Sequence, residues 1–397
     1  MNRLASIQAS RATLLWIPFL GFAAFGLSEA QLGVAWPTLR DAFHVPTDAL
    51  GVLIAAGVAG LLLGSLWGGW LIGWMGIWSF LSAGTFVRGL GLLGFAVAGQ
   101  WWLLVTAAFI AGLGAGFIAS GSNTLLATRY NAGLMSWMHA SFGLGSMFGP
   151  LLMTGSLGST AGYASAYLVV GWIALAIGVL FAVLSWSEPR EAAINQPAAA
   201  RVKGSGALAL LRWPVAWLGL LTFFLYRGLE ISAGQWTFTL FTDSRAASVA
   251  VAGVSVGLYW AGLTLGRILY GLTAHRIQAY PLLRAAGLGV LAGLVLLFLN
   301  LSTLTSMAGL ALLGFGMAPI FPLLSADTTR RVGKGWTATA VGFQIAIGSL
   351  GGAVIPGLGG LLGGRFGLES IGILLIIVCV LLLGAIELLA RARRVES

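Results

Sequence analysis

Carboxylates are scarce in this chain. Only 11 of its 397 residues are Asp or Glu, charged residues of both signs reach just 8%, and there are three histidines and one cysteine. Soluble domains carry roughly 25% charged residues, so a body facing water on all sides is excluded. The lone Cys379, inside the last apolar stretch, excludes an intrachain disulfide and any multi-cysteine metal site. It reads as a small buried hydrophobe. No G-x-x-x-x-G-K-[ST] occurs, which excludes ATP hydrolysis through a P-loop. Zinc-ligand spacing, a Ser/His/Asp arrangement and a nucleotide fingerprint are likewise missing, so no enzyme, metal or cofactor is expected and any work must draw on gradients. The first apolar stretch outruns a signal-peptide core and has no small-residue cleavage site behind it, so it reads as a first transmembrane helix.

What is abundant is apolar length. The chain is 58% hydrophobic with 59 glycines, and a bilayer crossing needs roughly 20 apolar residues. Twelve such stretches are predicted, near 12–38, 49–74, 78–99, 102–127, 134–157, 163–186, 214–241, 249–272, 281–299, 303–326, 335–362 and 367–390. The fold class is therefore an all-α polytopic membrane protein. The longest polar connection, SEPREAAINQPAAARVKGSGALALLRW, divides an N-terminal six-helix bundle (1–186) from a C-terminal one (214–397) through a cytoplasmic linker (187–213).

The net charge of +10 follows this topology. With the N-terminus in the cytoplasm, only Arg40, Arg245 and Arg365 fall outside and Arg88, Arg227 and Arg267 within spans; the remaining Lys and Arg are cytoplasmic. That is the positive-inside asymmetry, and it predicts a multi-pass protein of the cell (inner or plasma) membrane with both termini cytoplasmic. No basic aromatic stripe argues for nucleic acid.

The two halves echo each other. Gly26 to Thr38, GLSEAQLGVAWPT, is answered by Gly228 to Thr239, GLEISAGQWTFT; Gly60 to Gly69 by Gly262 to Gly271; Gly114 and Gly116 by Gly314 and Gly316; Arg129 by Arg330; and Gly145 and Ser146 by Gly348 and Ser349. The small-xxx-small spacings within them suit close helix approach.

Within the echo lie Glu29 and Glu230, the two carboxylates placed deep in apolar spans. A charge there costs a few kcal/mol or more, which makes each a functional candidate. One reading is an ion pair that fixes packing, with Arg227 one turn from Glu230 as a ready partner. The other is a carboxylate that titrates near neutrality and carries a proton, or stays ionised and ligates sodium. Gln31 and Trp36 follow Glu29, Gln235 and Trp236 follow Glu230, and Trp260 sits in the next span. Amides and aromatic faces suit a neutral polyhydroxylated ligand. Other tryptophans, Trp74, Trp78, Trp101, Trp102, Trp186 and Trp213, read as interfacial belt. Asn123 and His139 lie roughly 10 Å from the short loop between the fourth and fifth spans. His139 reads either as a proton relay or as a hydrogen-bonded packing residue. Gln344 is the approximate second-half counterpart.

Taken together, GLSEAQLGVAWPTLRDAF, GFIASGSNTL, MHASFGLGSMFGPLL, GLEISAGQWTFTLFT, YWAGLTLGRILYG and GGAVIP resemble the fucose:proton symporter and sodium-dependent glucose transporter-like group of the major facilitator superfamily. The resemblance implies twelve transmembrane helices in two pseudo-symmetric six-helix bundles, alternating access, and symport of a sugar or similar small polar solute with a proton or sodium, by a monomer. Carried over by position, Glu29, Asn123, His139 and Glu230 take the functional places. Glu29, Glu230 and His139 are the cation-coupling candidates; Gln31, Trp36, Asn123, His139, Gln235, Trp236, Trp260 and Gln344 are the solute-binding ones. The chain departs from the pattern at Ala119, where a carboxylate is expected, and in GGWLIGWMGIW, which lacks the usual charged gating motif. The competing reading is a proton-antiporting exporter of amphipathic compounds; a receptor that has lost coupling is a third.

Overall fold

The computed structural model describes residues 11–129, 132–187, 207–273 and 278–392, and among them there is no strand. The first half holds α1 (Arg11–Glu29), α2 (Leu32–Phe43), α3 (Leu50–Met75), α4 (Ile77–Val97), α5 (Trp101–Arg129), α6 (Ala132–Leu157) and α7 (Gly162–Ser187). The second holds α8 (Pro214–Thr239), α9 (Val249–Thr273), α10 (Ala279–Leu299), α11 (Thr303–Met317), α12 (Ile320–Val332), α13 (Lys334–Phe366) and α14 (Ser370–Arg391). Each predicted span falls on one of these helices or on a broken pair, α1/α2 for the first and α11/α12 for the tenth. Ten helices are long and apolar enough to cross a bilayer, and the pair α1/α2, bent by 42°, makes an eleventh. The predicted fifth span, α6, has 26 residues, but its glycines and serines leave it less apolar. This is a multi-pass membrane protein.

Helices this uniformly apolar gain little by exchanging lipid for protein contact, so close backbone approach decides their packing. A methyl group at Gly60 would stand 2.1 Å from the Phe109 oxygen and one at Gly262 would stand 2.3 Å from that of Ala311. Gly112 meets Gly57, and Gly314 meets Tyr259, each at 2.0 Å. All four contacts repeat between the halves at one constant offset. That offset pairs Gly112 with Gly314 and Gly114 with Gly316, which corrects the glycine register read from the sequence by two residues.

By contacts the chain forms two compact units. One comprises residues 1–29, 56–146 and 156–200; the other comprises 30–55, 147–155 and 201–397. In the first, α4 packs on α5 and α7, and its core gathers Ile77, Trp78, Phe80, Leu81, Phe181 and Leu184. Trp78 is buried and stacked on Phe181 at 6.0 Å, so it belongs to the core and not to the interfacial belt expected of it. Trp74, Trp102 and Trp186 are exposed.

In the second unit α8 packs against α13, and α11 against α9 and α10. At one end of this unit, Arg40 reaches Asp243 at 2.8 Å and Arg245 pairs with Glu369 at 2.8 Å. A methyl at Gly33 would meet the Gln235 oxygen at 2.6 Å, and one at Gly51 the Gly357 Cα at 2.9 Å. At the opposite end Arg331 pairs with Asp327 and donates to Tyr280 Oη and to the Leu389 and Ala392 carbonyls.

Candidate functional site

Among the described residues of the first unit, one ion pair lies at the end of α1. Arg88 of α4 donates through Nη2 to Glu29 Oε2 at 3.0 Å, through Nε and Nη2 to Ser28 Oγ at 3.0 and 2.6 Å, and through Nη1 to the Ala111 carbonyl at 3.3 Å. Its guanidinium lies 4.5 Å from the Phe25 ring centroid, a cation–π contact that adds to the pairing. Gly114 admits α5 here, since a methyl on it would stand 2.3 Å from the Arg88 nitrogen. The Arg88 side chain is 6% exposed and that of Glu29 is 34% exposed. The carboxylate is thus exposed at one edge while its cation is sealed.

The second unit treats its glutamate differently. Glu230, 1% exposed, pairs with Arg267 at 3.0 Å and with Arg227, and it accepts from Tyr226 Oη at 3.1 Å. Tyr259 Oη donates to the Glu230 backbone oxygen at 2.9 Å, tying α9 to α8. Breaking a buried pair leaves an uncompensated charge at a cost of about 3–5 kcal/mol, so a carboxylate shared by two arginines is firmly held in place. The sequence offered Arg227 as partner through its helical spacing. It missed Arg88 and Arg267, whose only signal was a cation inside an apolar span.

Between these clusters in the chain lies a group of buried polar atoms that hydrogen-bond to nothing. The α1/α2 break puts Gln31 into the second unit, fully buried, with neither amide atom bonded. Gln235 Oε1 and Trp260 Nε1, on residues 7% and 3% exposed, share that condition, as does Ser232 Oγ. The contact at Gly33 brings α2 onto the backbone of Gln235, and Gly234 lies against the rings of Trp260 and Tyr259. The structure therefore brings the break, α8 and α9 together. More than nine-tenths of buried polar groups in proteins are satisfied, and leaving one unsatisfied costs about 1–3 kcal/mol. Four such residues lie along adjoining segments of the second unit, with no partner for these atoms among the described residues.

The other candidates lie elsewhere. Trp236 donates to the Pro356 carbonyl at 3.0 Å and packs on Gly359 and Gly360, turned to α13. Trp36 is completely buried in α2. Gln344 and Thr328 hydrogen-bond to each other at 2.9 and 3.0 Å on the wall of a small cleft lined also by Phe223 and Arg331. Asn123 is exposed on α5, and the side chain of His139 lies outside the described residues. Among the described residues no cluster could hold a metal.

The family model of the Major Facilitator Superfamily matches residues 18–356. A glucose/mannose transporter of Bacillus subtilis is 27% identical over 349 residues, spanning 84% of this chain and 85% of that protein. Bypass of stop codon protein 6 of Saccharomyces cerevisiae is 25% identical over 391 residues, 89% of this chain and 77% of the relative. A gallate transporter of Pseudomonas putida is 26% identical over 388 residues, 87% and 84%. Among solved structures, a bacterial homologue of the human lysosomal transporter Spinster, inward-facing and occupied, superposes with a TM-score of 0.78 at 12% identity over 97% of this chain and 98% of that one. The Escherichia coli fucose:proton symporter gives 0.65 at 14% identity over 96% and 99%.

Proposed function

The chain belongs to the Major Facilitator Superfamily, and from that premise we propose that this membrane transporter moves a neutral, hydroxyl-rich solute, a sugar or similar small polar molecule, in symport with a proton or sodium ion. The observation that carries the reading is the set of orphaned donors and acceptors on Gln31, Gln235 and Trp260. Hydroxyls both give and accept hydrogen bonds and so answer amides of either orientation, while the rings at Gly234 offer apolar faces to sugar C–H groups. A glucose/mannose transporter among the relatives supports the same class.

Coupling falls to Glu29. It has one cationic partner and a solvent-reachable edge, whereas Glu230 has two and almost none. Protonation of Glu29 removes half of a one-to-one pair and so changes the local balance of charge. Ligation of sodium at the same carboxylate would compete with Arg88 in the same way. Glu230 serves to lock α8 to α9.

The test is uptake by the purified protein in liposomes under an imposed pH or sodium gradient, with labelled glucose, mannose and gallate in separate arms. Accumulation of a sugar under one gradient is expected. Accumulation of gallate alone would sink the sugar reading and favour an aromatic acid, the solute class of the relative from Pseudomonas putida.

Two further results follow from this reading. Gln31→Met and Gln235→Met should weaken solute binding by roughly 10- to 100-fold, since an analogue-sized loss of paired hydrogen bonds is worth about 1–3 kcal/mol. The same changes should raise the melting temperature of the solute-free protein, because an unsatisfied buried amide is removed. Lower stability in both variants would show that the amides hold the fold and not the solute. Secondly, alternating access requires the outer contact at Gly51 and Gly357 to part in every cycle. Gly51→Cys with Gly357→Cys should be arrested by a thiol oxidant and released by a reductant, read as uptake before and after; full uptake with the bridge formed would show that this contact stays closed.

A further inference from the structure

We propose that Arg227 and Arg267 bind a small inorganic anion of chloride size, free in solution, as the counter-ion of the second unit's charged cluster. Two guanidinium groups face one carboxylate there: Arg267 donates to Glu230 Oε1 at 3.0 Å and Arg227 to Oε2. One positive charge is left over. Helix α8, together with α9 and α13, which both pack on it, contains a single carboxylate, Glu230. The other carboxylates described in the second unit are committed elsewhere. Asp41 and Asp243 pair with Arg40, Asp327 with Arg331, Glu369 with Arg245, and Glu387 with Arg284 and Arg391, while Asp48 lies in the turn before α3.

An unbalanced charge within an apolar span is costly, and exposure shows from which side the balance comes. In the first unit the cation is sealed and the carboxylate has the open edge. In the second the order is reversed: Glu230 is sealed, while the side chains of Arg267 and Arg227 are 21% and 37% exposed. What this cluster presents is positive. Arg267 reaches Glu230 through Nη2 alone, whereas Arg245 grips Glu369 through both Nε and Nη2, so the Arg267 fork keeps N–H donors for a second acceptor. Beside the Arg227 stem α13 carries Gly348 and Gly352, where an added methyl would stand 3.6 and 3.5 Å from it; neither position sends a side chain over the guanidinium. Tyr226 and Tyr259 both donate to Glu230, one to its carboxylate and one to its backbone oxygen, and bring no negative charge. A monovalent anion brings the sum to zero and a neutral solute does not. This binding is therefore separate from the solute reading at Gln31, Gln235 and Trp260 and does not depend on it.

The experiment is thermal unfolding of the full-length protein in detergent at constant ionic strength, with the potassium salt of HEPES replaced stepwise by potassium chloride or bromide. A ligand of the folded state raises the melting temperature by mass action, and a saturating rise of roughly 2–5 °C is expected at a hundredfold excess over the dissociation constant. Arg267→Gln removes the surplus charge and leaves Glu230 with Arg227; it should abolish the rise, and Arg267→Lys should keep it. If Arg267 only ties α9 to α8, Arg267→Gln lowers the melting temperature equally at every chloride concentration and retains the parent's response, which overturns the proposal. A rise that never saturates is a general salt effect and overturns it as well. Should Arg267→Gln fail to fold, equilibrium dialysis of the parent protein with radioactive chloride decides: one chloride per chain is expected, and none overturns the anion site. Gallate replaces chloride in the last arm. Stabilisation by gallate with none by halide overturns the free anion and the neutral-solute reading together, whereas failure of the halides alone leaves that reading in place.

Discussion

Glu29→Gln abolishes accumulation against a gradient and leaves solute exchange running. That is the expected result in liposomes, and the contrast between the two assays is the substance of it. Gln has nearly the shape of a protonated Glu, so the fold keeps its packing; on the proposed reading, what disappears is the change of charge that ties an ion gradient to the solute. Arg88 loses its ionic partner but keeps Ser28, Ala111 and the Phe25 ring, which limits the loss of stability. Glu230→Gln should behave in the opposite way. Two arginines would be left beside a neutral amide, at a cost of about 3–5 kcal/mol, seen as a marked drop in melting temperature. Equal losses of accumulation and stability in the two variants would refute the division of labour between the glutamates.

Gly145→Val should prevent recovery of folded protein altogether. Its added methyl would stand 1.9 Å from the Ala23 carbonyl oxygen, and Gly26 on the facing helix is as tightly engaged, 2.0 Å from that of Phe142. The obstacle is backbone on both sides, so no rotamer relieves it, and α1 would have to leave α6 along its length. Overpacking a core costs about 1–3 kcal/mol where side chains can yield, and more where they cannot. Gly73→Ala is the control, since nothing lies within 4 Å of that position; it should give parental yield and melting temperature. A monodisperse, folded Gly145→Val protein in size-exclusion chromatography would show that α1 and α6 are free to separate.

The spans were legible because crossing a bilayer imposes a length and a composition that sequence displays directly. Packing direction was not. In Trp78, Trp236 and Trp102 the same residue type lies in a core, against a neighbouring backbone carbonyl and in an exposed position, and hydropathy gives all three the same sign. The glycine repeat was readable, though two residues out of register at Gly114, because its spacing survives without any knowledge of partners. The pairing of Glu29 with Arg88 joins residues 59 positions apart, and no local pattern reports it. The echo itself misled slightly. With Gly26 laid on Gly228, Glu29 and Glu230 differ by one position, which is about 100° around a helix. Their cations accordingly come from different places, α4 in one case and α8 with α9 in the other. Gln31, Gln235 and Trp260 could be named as polar groups in apolar surroundings, but that they lack partners is a property of the folded chain alone.

The break between α1 and α2 has a mechanical meaning. Glu29 is the last residue of one compact unit and Ala30 the first of the other, so the carboxylate proposed to couple and the unbonded amide of Gln31 stand on either side of a single short joint. A force applied at a pivot needs no relay to be felt by both arms. On the proposed reading ion and solute each act within two residues of this joint, and stiffening that stretch of backbone is expected to uncouple them without touching either ligand.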